Sequence, residues 1–135
     1  MSKARIARPS TCSIGGTPAE SCERALEAAT AIRRFTRELA ASSPGLEHAE
    51  ESVGVAIGLN YCPLLVGFFG PNDNYTGFSS GMNNAARLQG LALRDEILCM
   101  ESFAAAVNDS RRFGELKATS VKNVAEPIRY RALLD

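Results

Sequence analysis

Metal-ligand chemistry is the first thing this sequence is short of. It has one histidine, His48, in a polar stretch, and four cysteines, Cys12, Cys22, Cys62 and Cys99, with no Cys-x-x-Cys pair. A zinc site is therefore not expected. Cys62 and Cys99 sit inside apolar runs and read as small core hydrophobes. A surplus of either charge is also lacking: fifteen Lys and Arg balance fifteen Asp and Glu, so the net charge is zero. No basic field gathers nucleic acid or an anionic membrane, and neither is expected as a partner. Arg33-Arg34, Arg111-Arg112, and Arg129 with Arg131 are each offset by nearby acidic residues and read as solvated faces. Long apolar runs are missing as well. The longest, Leu64 to Phe69, falls far short of a membrane span. The N-terminus is basic and polar, with no apolar segment of the kind a signal peptide needs. A reduced, cytoplasmic compartment is the expectation. There is no internal repeat and no low-complexity tract.

What is present suits one soluble globular domain. The 135 residues are 45% apolar and 22% charged, enough for a single core. Residues 1–16 read as a loose tail and 17–135 as the domain. Thr17-Pro18-Ala19-Glu20 is a helix start, with a capping Thr, a Pro at the first helical position and a Glu closing a capping box. The helix is expected to run to about Ala41, with Cys22, Ala25, Ala29, Ile32, Phe35 and Leu39 along its apolar stripe. Ser42 to Gly45 ends it, and Glu47 to Glu51 is a solvated acidic linker.

Val53 to Leu59 alternates as a strand. Its small face, Gly54, Ala56 and Gly58, predicts close approach of another backbone or helix. Leu64 to Gly70 fits either a strand or a buried helical turn. Pro71 to Asn74 is a turn cluster. Next comes Tyr75-Thr76-Gly77-Phe78-Ser79-Ser80-Gly81-Met82-Asn83-Asn84-Ala85-Ala86-Arg87-Leu88-Gln89-Gly90: an extended segment, a Ser/Gly turn and a helix over about Ser80 to Leu91. Ser79 or Ser80 can cap it. Asn83 and Arg87 are four apart and share a helical face. An amide beside a guanidinium is a donor pair suited to a phosphate or ribose, and it is also an ordinary surface pair. Glu96 to Met100 reads as a buried strand, Ser102 to Asn108 as a short helix, Phe113 to Val121 as weakly alternating, and Ile128 to Leu133 as a last strand. The class is α+β, a mostly antiparallel sheet with helices packed on one face.

Several of these segments, in this order, resemble class III nucleotidyl (adenylate/guanylate) cyclases. Gly58-Leu59-Asn60-Tyr61-Cys62-Pro63-Leu64-Leu65-Val66-Gly67-Phe68-Phe69-Gly70 is similar to the family's Gly-x-His-x-Gly, apolar run and Gly-x-x-Gly. The Tyr75 to Leu88 stretch resembles Tyr-Thr-x-x-Gly-Asp-x-Val-Asn-x-Ala-Ala-Arg-Leu. Val121-Lys122-Asn123-Val124-Ala125-Glu126-Pro127 resembles Val-Lys-Gly-x-x-Glu-Pro. The likeness extends from about Gly16 to Leu134. It implies a ferredoxin-like, nucleotidyl cyclase-like sheet and a site residue by residue. Asn83 would orient the ribose, Arg87 would stabilise charge on the α-phosphate, Lys122 would contact the triphosphate, and Thr76 would stand where the purine is read. A well-placed Arg in phosphoryl transfer is worth roughly 10³–10⁵ in rate.

The departures from the family are as informative. Ser80 stands for the family's Asp and Ser79 for its Gly; Asn60 and Cys62 stand for its His and second Gly. The family holds two metal ions on two Asp, one on its first strand and one on a hairpin. Here Met1 to Gly16 has no Asp or Glu, and the linker Leu46 to Ser52 has Glu but no Asp. No cofactor is expected on this chain alone, and Mg²⁺ or Mn²⁺ only where a partner supplies the metal half. Three readings follow. One is a non-catalytic dimerisation or regulatory module of cyclic-nucleotide signalling. Another is a half-site completed by a full-length cyclase subunit. The third is the C-terminal part of an ordinary cyclase using ATP or GTP, N-terminally truncated. Lacking the family's first strand, the Val53 to Leu59 strand should have an open neighbour and the first helix uncovered apolar surface. A homodimer or other oligomer is therefore expected.

Overall fold

The computed structural model describes residues 16–42, 53–63, 65–69, 71, 74–78, 80–122 and 124–134. Helix α1 runs Pro18–Ser42. Local chemistry fixes its start. Thr17 donates its N–H to Glu20 Oε2 at 3.0 Å, and Glu20 returns its N–H to Thr17 Oγ1 at 3.2 Å. That is the reciprocal capping box the sequence predicts. After it come β1 (Ile57–Leu59), β2 (Leu65–Phe69), β3 (Asn74–Phe78), α2 (Ser80–Leu91), β4 (Ile97–Met100), α3 (Glu101–Ala106), a 3₁₀ turn at Ser110–Arg112, β5 (Lys117–Thr119) and β6 (Ile128–Ala132).

Four strands form one sheet in the order β1-β4-β6-β5, and β2 and β3 form a separate hairpin. β1 runs parallel to β4, while β4 with β6 and β6 with β5 are antiparallel. The α+β class and the mostly antiparallel sheet are thus as expected. Leu64 to Gly70, which periodicity leaves open between strand and helical turn, yields a strand. Its register with β3 runs from Leu65 opposite Phe78 to Phe69 opposite Asn74.

β4 is the central strand, and its alternation divides the core. Ile97 and Cys99 join Cys22, Leu26 and Ala29 of α1 and Phe103 and Ala104 of α3. Leu98 joins Leu88 of α2, Ala92 and Ile128, with Met100 packed against them. The helices therefore do not all share one face: α1 and α3 cover one, α2 the other. The reason is the small side of β1. A Cβ on Gly58 would lie 2.2 Å from the carbonyl oxygen of Ala85 and 2.7 Å from the nitrogen of Gln89. Only a glycine lets the α2 backbone come that close.

Two further expectations are corrected. The strand forms only over Ile57–Leu59. Ahead of it, Asp95 has φ 62°, a left-handed conformation an Asp tolerates. Its N–H donates to the Val55 carbonyl at 2.7 Å, and its carboxylate Oδ1 accepts from Val55 N–H at 3.3 Å, so a side chain takes one of the two ladder bonds there. The buried stripe of α1 is also rotated. Cys22, Leu26, Ala29 and Arg33 face the core, whereas Ile32, Phe35 and Leu39 are exposed, Phe35 to 65%. Among the described residues, apolar surface on α1 is left uncovered, as expected, and β1 is an edge strand. The acidic linker, the Pro71 to Asn74 turn in part, and the Ser79 cap lie outside the described residues.

The arginines expected on solvated faces divide. Arg34, Arg111 and Arg129 are exposed. Arg33 is only 7% exposed, and its Nη1 donates to the Asp95 carbonyl at 3.4 Å. Arg112 holds Glu23 through Nη1, at 3.0 Å from Oε1 and 2.8 Å from Oε2. Arg131 donates to the Gly114 carbonyl at 3.1 Å. Burying a guanidinium is tolerable when carbonyls or carboxylates meet it.

Candidate functional site

Helix α2 presents the candidate residues. Its inner side is fixed by Leu88 in the core and by its contact with Gly58. Its first turn is fixed by Asn60, just past β1. Asn60 Nδ2 donates to the Gly81 carbonyl at 3.0 Å, and its Oδ1 accepts from Ser102 Oγ at 2.9 Å. One amide thus ties the end of β1 to the start of α2 and to α3. Gly81 is buried, and a Cβ there would lie 2.3 Å from Cys62 Sγ. Asn60 and Cys62, noted in the sequence only as departures, are therefore the residues that seat this helix. Asn60 could have been suspected as an amide at a strand end; the role of Cys62 depends on the fold. Cys62 is half-buried here, and Cys99 is fully buried as expected.

Asn83 and Arg87 lie one turn apart on α2, where i and i+4 are neighbours. Asn83 is exposed and Arg87 half-buried. Arg87 donates from Nη1 to Oδ1 of Asn84 at 3.1 Å. Sequence reasoning paired Arg87 with Asn83 and gave Asn84 no part; the i, i−3 bond to Asn84 is what orients the guanidinium. Ser80, at the first position of the helix, is exposed.

Lys122 is exposed between β5 and β6. Its neighbour Val121 packs against the Leu88 and Ile128 cluster. Thr76 lies on β3, opposite Gly67, four residues ahead of α2; its side chain is outside the described residues. The fold therefore brings Asn83, Asn84 and Arg87 onto one helix, with Lys122 on the separate stretch between β5 and β6. Chemically this is a set of amides and cations that can donate to phosphate oxygens and hydroxyls.

Metal fits less well. Among the described residues no group of three or more His, Cys, Asp or Glu is placed to hold an ion. The sequence has no Asp ahead of Asp73. No step through a metal is derived from these residues. Among the described residues no helix is long and apolar enough to cross a membrane.

No family model matches the sequence, and no curated protein does. Solved structures do. The guanylyl cyclase Cya2 superposes with a TM-score of 0.72 at 18% identity, over 85% of this chain and 58% of that one. The adenylyl cyclase CyaB from P. aeruginosa gives 0.73 at 19% identity, over 89% and 61%. The catalytic core of a rhodopsin-guanylyl cyclase with converted specificity, in complex with ATPαS, gives 0.64 at 19% identity, over 86% and 60%. This chain has the adenylate/guanylate cyclase fold, and it spans about three fifths of the length of those domains.

Proposed function

We propose that this chain is a cyclase-homology module that offers the nucleotide-facing half of a composite site and does not turn nucleotide over by itself. Its role is dimerisation or regulation in cyclic-nucleotide signalling. The observation that carries the reading is helix α2. Gly58, Asn60 and Leu88 hold it against the sheet while Asn83 and Arg87 stand on its accessible side. On a cyclase fold, Asn83 orients a ribose, Arg87 meets the α-phosphate, Lys122 reaches the triphosphate, and Thr76 stands by the purine. Each contact is a donor meeting an oxygen, so binding of ATP or GTP needs no metal of this chain's own. Ser80, standing where the family carries an Asp, supports the absence of turnover.

The test is nucleotide binding by thermal shift and calorimetry, with a cyclic-nucleotide assay alongside. Wild type binds ATP or GTP, and Arg87→Ala weakens binding about 10- to 100-fold, as expected for a lost charge-assisted contact. The chain alone yields no cyclic nucleotide with Mn²⁺ or Mg²⁺. No binding, or binding indifferent to Arg87→Ala, would sink the reading. The exposure of Asn83 favours a second one, a half-site completed by another chain bringing the metal-holding carboxylates. In that case cyclic nucleotide appears on mixing with a full-length cyclase subunit and disappears with Arg87→Ala.

A further inference from the structure

α1 carries two apolar stripes, and the fold uses one. Cys22, Leu26, Ala29 and Arg33 face the sheet. About a third of a turn away, at 3.6 residues per turn, run Ala25, Ala28, Ile32, Phe35 and Leu39. Ile32 is 51% exposed, Phe35 65% and Leu39 45%. Their spacing of three and four residues is that of a seam meant for another helix.

We propose that α1 is a self-association surface, on which a second copy of this chain docks antiparallel about a two-fold axis near Ala31. Complementarity along the helix identifies the occupant. Beyond the seam, the exposed flank carries Arg24, Glu27, Ala31, Arg34 and Glu38 in order. Read backwards, that series has each sign reversed. A two-fold axis near Ala31 therefore sets Arg24 opposite Glu38 of the second copy, and Glu38 opposite its Arg24. The same axis sets Phe35 opposite the second copy's Ala25 and Ile32 opposite its Ala28, so large side chains meet small ones. Ala31 on the axis lets the helices approach. In a parallel two-fold pair this flank would face the other flank of the second copy, so Arg24 and Glu38 would not meet. An isologous contact of this sort closes on itself as a dimer. It lies on the helix layer across the sheet from α2, so it leaves Asn83 and Arg87 accessible and does not depend on the nucleotide reading.

Sedimentation equilibrium of the full chain tests this, with covalent capture as a second readout. Wild type is a dimer. Phe35→Glu, at an exposed position that leaves folding intact, weakens it about tenfold or more, as loss of a central aromatic anchor should. Glu38→Arg weakens it about threefold, within the range of surface pairs, and Arg24→Glu added to Glu38→Arg restores it. Ala31→Cys is joined to its second copy by a short bismaleimide, above the wild-type background, and Phe35→Glu abolishes the capture. A monomer in wild type would overturn the proposal, as when another segment of this chain covers α1. So would a dimer that survives Phe35→Glu, which would lie on another face. A dimer disrupted by Phe35→Glu but indifferent to the charge reversals would overturn the antiparallel arrangement.

Discussion

At the scale of single residues, Cys99 shows what burial does to chemistry. It lies on β4 with no exposed surface. Burial, with the Cys22 thiol beside it, pushes its own thiol from an ordinary 9.0 up to about 12 against a smaller opposing pull from Arg112. The folded chain thus keeps a proton that the unfolded chain gives up near pH 9. The stabilisation is complete below that pH and is lost as pH climbs toward about 12. Urea midpoints at about pH 8 and about pH 11 should therefore fall by less in Cys99→Ala than in wild type. An equal fall in both would show that this thiol does not couple to folding. Arg33 makes the complementary point. In the sequence it is half of an Arg-Arg pair between Glu27 and Glu38, with nothing to separate it from Arg34. It is buried because the chain turns at Asp95 and offers a carbonyl where the guanidinium arrives. Asn83 and Arg87 were legible as a pair from spacing and resemblance. Asn84's hold on Arg87 was not, because an i, i−3 bond depends on which rotamer the packed helix leaves open.

At the scale of elements, legibility follows the locality of the signal. α1 and α2 start where the sequence predicts, since a capping box and a Ser/Gly turn act within a few residues. The strand at residues 53–59 was foreseen too long, because its beginning depends on Asp95, some forty residues on. The foreseen stripe of α1 shares Cys22 and Ala29 with the core-facing side, but its later members, Ile32, Phe35 and Leu39, lie about a third of a turn away. Two apolar stripes compete there, and only tertiary packing chooses. The small face of β1 was legible: Gly58 is where α2 touches down. A methyl at that point has no flexible neighbour to displace, only α2 backbone and the Cβ of buried Leu88. Gly58→Ala should therefore lower stability by about 1–3 kcal/mol, read from chemical denaturation. It should also weaken nucleotide binding, because α2 carries Arg87. Unchanged stability would mean that α2 lies further from the sheet than the structure shows.

At the scale of the whole molecule, the two core clusters are not independent units. β4 contributes Ile97 and Cys99 to one and Leu98 to the other. They should melt together. Leu26→Ala on the α1 side and Leu88→Ala on the α2 side each remove a fully buried side chain. Each is expected to cost about 2–5 kcal/mol and to shift one shared transition, with circular dichroism and aromatic fluorescence coincident. Two separable transitions in either variant would show that the layers fold apart.

The central position of β4 also has a consequence in time. α1, β1 and α2 all pack against a strand that begins at Ile97, and β4 in turn pairs with β6 at 128–132. A ribosome adding residues from the N-terminus therefore exposes α1 long before its seat exists. The capping box can hold that helix in outline, but its apolar stripes stay in water until the middle of the sheet arrives. The pairings are far apart in sequence, which slows closure of the core. The growing chain is most vulnerable to aggregation and proteolysis in that interval. The longest of the described helices is made before the strand it rests on and must wait for its place.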